Sequence, residues 1–214
     1  MRFKFFKATF VAVFLLICNV SNAGIIPHGV QENVAYNDVT NTWGWDLLYR
    51  GDYSASISID DMFSGHQDYI MLGAINGDSD TITLLAAVKW SDFITYTADN
   101  VTKSLNGAEW YINGDSLGFA GLGDTINQTS ADTSSVNANK RLSWHTNRSS
   151  NSSSVATDVF GGWRAGAATG LNGSTAWDRV VFTANANLQS VPEPSTFAIF
   201  ALGMVGLVLR RTKK

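Results

Sequence analysis

Short apolar segments separated by turns rich in glycine, asparagine and aspartate fill the middle of this 214-residue chain. Two apolar runs, 68–75 and 81–88, flank the sequence Asn-Gly-Asp-Ser-Asp at 76–80. That composition favours a β-hairpin, because these residues adopt tight-turn backbone conformations readily. Five further segments have a strand-like pattern: 42–49, 54–59, 109–112, 141–145 and 177–183. The spacing predicts an all-β domain over residues 24–190, an antiparallel β-sandwich or jelly roll.

Three other stretches of the middle have weaker patterns. Residues 91–101 fit either a short helix or a further strand. Residues 125–138 and 146–158 are rich in serine, threonine and asparagine. Such runs bury little apolar surface, so they predict exposed loops.

The first 23 residues have the three parts of a secretory signal peptide. Arg2, Lys4 and Lys7 form a positive start, and residues 8–17 are apolar. A run of that length is too short to span a bilayer permanently. Small residues then precede a cleavage site that we place after Ala23. A lipoprotein signal at Cys18 is the alternative, although the bulky Ile17 precedes that cysteine.

The C-terminal tail combines a proline motif, an apolar run and a basic end. The motif consists of Val191, Pro192, Glu193, Pro194, Ser195 and Thr196, and the prolines keep it extended. The apolar run Phe197–Leu209 predicts a single, marginal transmembrane helix. Arg210 and Arg211 begin a basic end that stays cytoplasmic and stops transfer.

This tail closely resembles the PEP-CTERM sorting signal of Gram-negative bacteria, in which the same three parts occur in the same order. The resemblance implies recognition by an exosortase, a membrane transpeptidase that cleaves near Pro-Glu-Pro. It also implies a host that secretes exopolysaccharide and forms biofilms. The protein would use the secretion translocon, be anchored briefly in the inner membrane, and reach the cell surface or extracellular matrix.

Removing both ends changes the charge and the cysteine content of the chain. Residues 24–196 contain all 18 acidic residues but only 8 of the 15 basic ones, a formal charge of −10. Nucleic acid is therefore disfavoured as a partner, because phosphate binding requires a basic face. The single cysteine lies in the signal peptide, so the mature chain can form no disulfide within itself.

A serine motif at Gly114-Asp115-Ser116-Leu117-Gly118 matches both G-x-S-x-G and the G-D-S-L block of SGNH esterases. A nucleophilic serine requires a base, and a nucleophile elbow requires a helix after it. Glycines punctuate residues 119–124, and position 142 is Leu where the esterase pattern has Asp before a histidine. A hairpin turn at 113–115 therefore explains the motif better than catalysis by Ser116.

Two metal-site hypotheses are weaker. Asn76, Asp78 and Asp80 alternate in a loop, as calcium ligands do, but residues 81 and 87 do not fit an EF-hand. His28, His66 and His145 share no ligand spacing. The sequence predicts no metal, no cofactor and no enzyme activity. Seven tryptophans leave carbohydrate binding, with exopolysaccharide as the ligand, as the first alternative function, and serine hydrolysis is the second.

Overall fold

The computed structural model describes residues 24–126, 138–149 and 152–186, which form two antiparallel β-sheets. The strands are β1 (Gln31–Ala35), β2 (Asp46–Asp52), β3 (Ser56–Ser58), β4 (Tyr69–Asn76), β5 (Thr81–Lys89), β6 (Lys103–Leu105), β7 (Ala108–Ile112), β8 (Ser116–Gly121), β9 (Leu142–Ser149), β10 (Ser152–Phe160), β11 (Arg164–Ala165), β12 (Ala168–Thr169) and β13 (Trp177–Ala184). Between them lie the helices α1 (Ile59–Met62) and α2 (Trp90–Phe93), a π-helical turn at Asp38–Thr42 and a 3-10 turn at Ala138–Lys140. The prediction of an all-β antiparallel fold is confirmed.

The two sheets pack against each other through the main hydrophobic core. The first sheet has the order β1-β5-β4-β13-β2, and the second has the order β12-β11-β9-β8-β7-β6. Strand β10 pairs with β9, and β3 pairs with β10. The core contains buried side chains from both sheets, including Ile70, Leu72, Leu84, Trp110, Phe119 and Trp144. This is the arrangement of a β-sandwich.

The outer face of the first sheet is also apolar, and the N-terminal segment covers it. Met71, Ile82 and Phe182 form a second buried cluster with Val39 and Trp45. Strands β4 and β5 are therefore buried on both faces. This explains why each reads as a continuous apolar run rather than an alternating one.

Both predicted hairpins are confirmed. Strands β4 and β5 pair antiparallel on either side of the turn, where Gly77 has a φ of +58°. Strands β7 and β8 pair in the same way around residues 113–115. In this second turn the side-chain oxygen of Asn113 accepts hydrogen bonds from the backbone N–H groups of Asp115 and Ser116, both at 3.0 Å.

The predicted loop at 146–158 is wrong, because most of this stretch belongs to strands β9 and β10. Ala156 and Val159 are buried in the main core. The serines and threonines around them contribute backbone to the sheet. A strand on the surface of a sandwich needs only one apolar face, and polar composition alone hides that pattern.

Two other predicted strands are shorter than expected. The segment 42–49 becomes a strand only at Asp46, because Gly44 has a φ of +71° and turns the chain. The segment 54–59 ends at Ser58, whose hydroxyl accepts a hydrogen bond from the N–H of Asp61 and caps α1. For residues 91–101 the sequence allowed either a helix or a strand. The helix α2 extends to Phe93, and no further helix or strand follows within that stretch.

The predicted signal helix at 1–23 and the predicted transmembrane helix at 197–209 lie outside the described residues. Within residues 24–126, 138–149 and 152–186, no helix has the length and apolar character needed to cross a bilayer.

The sandwich has two distinct ends. At the exit end, β13 finishes at Ala184 beside Tyr69, and the N–H of Ile25 donates to the carbonyl of Trp43 just before β2. The distal end carries the loops at 52–55, 77–80, 161–163 and 170–176. Strand β13 connects the two ends, which its eight residues separate by about 25 Å.

Candidate functional site

The predicted sorting and cleavage residues lie outside the described part of the chain. This holds for Ala23, for the motif at 191–196, and for Arg210 and Arg211. The described domain ends at Ala186, a few residues before Val191.

Ser116 is the first residue of strand β8 and is almost fully buried, with 5% of its surface exposed. Its backbone N–H donates to the Asn113 side chain, and its carbonyl accepts the N–H of Asn113. A nucleophile elbow instead places the serine between a strand and a helix. The residues around Ser116 therefore form a hairpin, as the turn sequence indicates.

The topology nevertheless places a histidine beside this serine. Ser116 lies directly opposite His145 in the pairing of β8 with β9. Directly opposed residues in an antiparallel pair have Cβ atoms about 5 Å apart on one face of the sheet. The sequence motif gave no indication of this neighbour, because the partner comes from strand pairing rather than from a local pattern.

The metal-site candidates remain dispersed. Asp78 and Asp80 belong to the hairpin turn, where the N–H of Ser79 donates to the carbonyl of Asn76. The ring of His66 lies against Trp90 with 3.9 Å between ring centroids, whereas His28 approaches Gly107. Across the described ranges, no group of three or more His, Cys, Asp or Glu side chains is placed to hold a metal ion.

A cleft with a volume of about 340 Å³ lies at the distal end. Its lining consists of Tyr53, Ser54, His145, Phe160, Gly161, Asn172 and Gly173. We call this site the distal cleft. Phe160 is 41% exposed, and its ring centroid is 5.9 Å from that of His145. None of the lining residues has a carboxylate, an ammonium or a guanidinium group.

A buried arginine holds the loops around the distal cleft. The guanidinium of Arg179 donates to the carbonyls of Asp52, at 2.9 Å, and Ala55. It also donates to the carbonyl of Gly161 at 3.4 Å. Burial lowers the pKa of Arg179, and the neighbouring Tyr49 and other polar groups oppose that effect. This one side chain therefore joins two loops to strand β13.

Two further contacts fix the cleft wall. The Asp52 carboxylate accepts hydrogen bonds from the Ser54 hydroxyl at 2.5 Å and from the N–H of Ala55 at 2.8 Å. These bonds, led by the hydroxyl, lower the pKa of Asp52. On the opposite side, the Asn172 side-chain oxygen accepts the N–H of Gly162 at 3.0 Å. No sequence pattern indicates this cleft, because its residues come from four separate segments.

A second cleft, of about 470 Å³, lies at the exit end. It includes His66, Lys89, Trp90 and Asn185, the residue that follows β13. The Trp90 ring in this cleft already packs against three other rings, those of Phe63, His66 and Phe93. This cleft surrounds the point where the chain leaves the domain.

The comparison with protein families concerns the tail rather than the domain. Residues 190–214 match the family model of the PEP-CTERM protein-sorting motif. The chain carries a PEP-CTERM sorting signal. This signal implies export and sorting by an exosortase to the cell surface. No match was found among curated proteins or among solved structures.

Proposed function

We propose that this chain is a non-enzymatic surface or matrix protein of a Gram-negative bacterium. The matched PEP-CTERM signal at 190–214 carries the proposal. The signal peptide directs the chain to the translocon, and cleavage after Ala23 releases the N-terminus. Phe197–Leu209 holds the chain in the inner membrane, and Arg210 and Arg211 keep the end in the cytoplasm.

The exosortase then cuts near Pro192-Glu193-Pro194 and releases the domain toward the surface or matrix. Two prolines within three residues keep this segment out of helix and sheet, so it stays extended for a protease. The domain ends close to the cut, which leaves a short linker. Mature protein should therefore contain the whole sandwich and almost nothing else.

Mass spectrometry of the extracellular protein tests this sorting. In a host with an exosortase, we expect a mature C-terminus near residue 194. The double variant Pro192→Ala, Pro194→Ala should keep the complete tail and remain in the membrane fraction, because its motif is lost. Gln189→Ala, just before the matched segment, serves as the control and should be processed normally.

Two results would contradict the proposal. One is an extracellular protein that still ends at Lys214. The other is equal processing of the double-proline variant and the Gln189→Ala control.

A further inference from the structure

We propose that the distal cleft binds a neutral saccharide, with Phe160 as the stacking surface. The first observation is the exposure of this ring. Phe160 and Trp163 are the two aromatic side chains among the large hydrophobic residues exposed in the described ranges, and Phe160 lines the cleft. The face of an aromatic ring is electron-rich and attracts partially positive C–H groups. One face of a pyranose ring presents such C–H groups.

The polar groups of the cleft suit hydroxyl ligands. His145, Asn172 and Ser54 line the cleft. The Ser54 hydroxyl donates its proton to Asp52, so toward a ligand it acts as an acceptor. The Asn172 side-chain oxygen accepts the Gly162 N–H, and an amide NH₂ group is a hydrogen-bond donor. Sugar hydroxyls both donate and accept hydrogen bonds, so they can pair with hydroxyl and amide side chains.

The charge of the surroundings selects a neutral ligand. Residues 24–196 carry a formal charge of −10, and the cleft lining contains no lysine or arginine to offset it. The guanidinium of Arg179 lies nearby but is completely buried and directed at backbone carbonyls. A uronic acid or phosphate would therefore enter an unfavourable field. A neutral ligand encounters no such repulsion.

The cleft is also held in shape before any ligand arrives. Arg179 fixes residues 52, 55 and 161, and the buried indole N–H of Trp144 donates to the Tyr53 hydroxyl at 3.0 Å. A pre-formed site loses less conformational entropy on binding. Its volume of about 340 Å³ lies in the range of small-molecule sites.

The position of the distal cleft would allow it to face the extracellular matrix. It lies at the end of the sandwich opposite Ala184, where the chain leaves toward the sorting signal. A domain anchored through that signal directs the distal end away from the membrane. This argument about position rests on the proposed sorting function, whereas saccharide binding by the purified protein does not.

A glycan array tests the proposal with the full chain purified in detergent. The array carries neutral gluco-, galacto- and manno-oligosaccharides beside uronic-acid oligosaccharides. We expect retention of at least one neutral class, and a loss of affinity on the order of tenfold in Phe160→Ala. Phe160→Trp should keep binding, because it preserves the stacking face. Leu122→Ala, which removes an exposed apolar side chain outside the cleft lining, is the matched control and should bind as the parent does.

Thermal unfolding of each variant verifies that it is folded. Absence of binding to any neutral glycan by the parent chain would overturn the proposal. Equal binding by parent and Phe160→Ala, or a preference for the uronic-acid oligosaccharides, would overturn it as well. Failure of the sorting proposal would appear separately, as an uncut tail in mass spectrometry.

Discussion

At the scale of single residues, the side chain of Tyr111 requires a glycine at position 118. The Tyr111 hydroxyl crosses strand β8 and donates to the carbonyl of Leu142 at 2.6 Å. A Cβ at Gly118 would lie 2.9 Å from this hydroxyl and would collide with the Leu142 carbonyl. The glycine of the apparent serine motif therefore serves the packing of a tyrosine.

We predict that Gly118→Ala destabilises the domain by about 3 kcal/mol, because a backbone atom blocks the new methyl group. Gly170→Ala is the control. Gly170 has a φ of +71° but open space around its Cβ position, so only backbone strain of about 1 kcal/mol should follow. Urea unfolding followed by tryptophan fluorescence measures both values. Equal losses for the two variants would contradict the predicted collision at Gly118.

The serine motif that contains Gly118 also shows what a local sequence motif cannot predict. The pattern Gly-Asp-Ser-Leu-Gly indicates a nucleophile only if a helix follows, and glycine punctuation correctly argued against that helix. The location of His145 opposite Ser116 could not be derived, because it depends on the register of β8 against β9. Register between strands that are distant in sequence depends on long-range packing.

At the scale of elements, Arg179 in β13 connects two loops to the first sheet through hydrogen bonds. Arg179 joins the loop after β2 and the segment after β10 through three carbonyl contacts. Arg50, which pairs with Val180 on the adjacent strand, instead forms an ion pair with Asp178 at 2.6 Å, and its side chain is 36% exposed. The two arginines therefore have the same chemistry but different environments.

We predict that Arg179→Met costs about 3 kcal/mol of unfolding free energy, because it leaves buried carbonyls without donors. Arg50→Met should cost about 1 kcal/mol or less, since exposed ion pairs contribute little. Chemical denaturation compares the two, and hydrogen exchange at residues 52–55 should increase only in Arg179→Met. A smaller loss for Arg179→Met than for Arg50→Met would refute this account.

Elements with a strong apolar pattern could be predicted from sequence, and those with polar composition could not. Strands β4, β5 and β7 were anticipated because the first two are buried on both faces and β7 is buried along its whole length. Strand β10 was missed because its serines and threonines indicate a loop. The distal cleft could not be predicted for a related reason. Its glycines and Asn172 indicate turns, but a turn sequence does not show which other segments lie next to it in the fold.

At the scale of the whole molecule, both ends of the described domain lie at one end of the sandwich. Ile25 bonds to Trp43 just before β2, and Ala186 donates its N–H to the carboxylate of Asp68, just before β4. The hairpin turn at Asp78 lies at the other end. The chain therefore enters and leaves the described domain at the same end of the sandwich.

We predict that distances between pairs of spin labels will show this arrangement of the two ends. In a Cys18→Ser background, labels at Ile25→Cys and Ala186→Cys should be close together. Labels at Ile25→Cys and Asp78→Cys should be farther apart by roughly 20 Å, which is most of the length of a strand. Double electron–electron resonance measures both pairs. Equal distances, or a shorter distance to Asp78, would contradict the fold.

The central place of β13 in the first sheet has a consequence for folding during export. This last strand inserts between β4 and β2, pairing Trp177 with Asn76 and Ala184 with Tyr69. A chain that emerges N-terminus first presents β2, β4 and β5 long before their missing neighbour, so the sheet stays open and prone to aggregation. We expect cooperative folding only after Ala184 has crossed the membrane. Closure of the first sheet therefore depends on the last strand of the described domain to be synthesised.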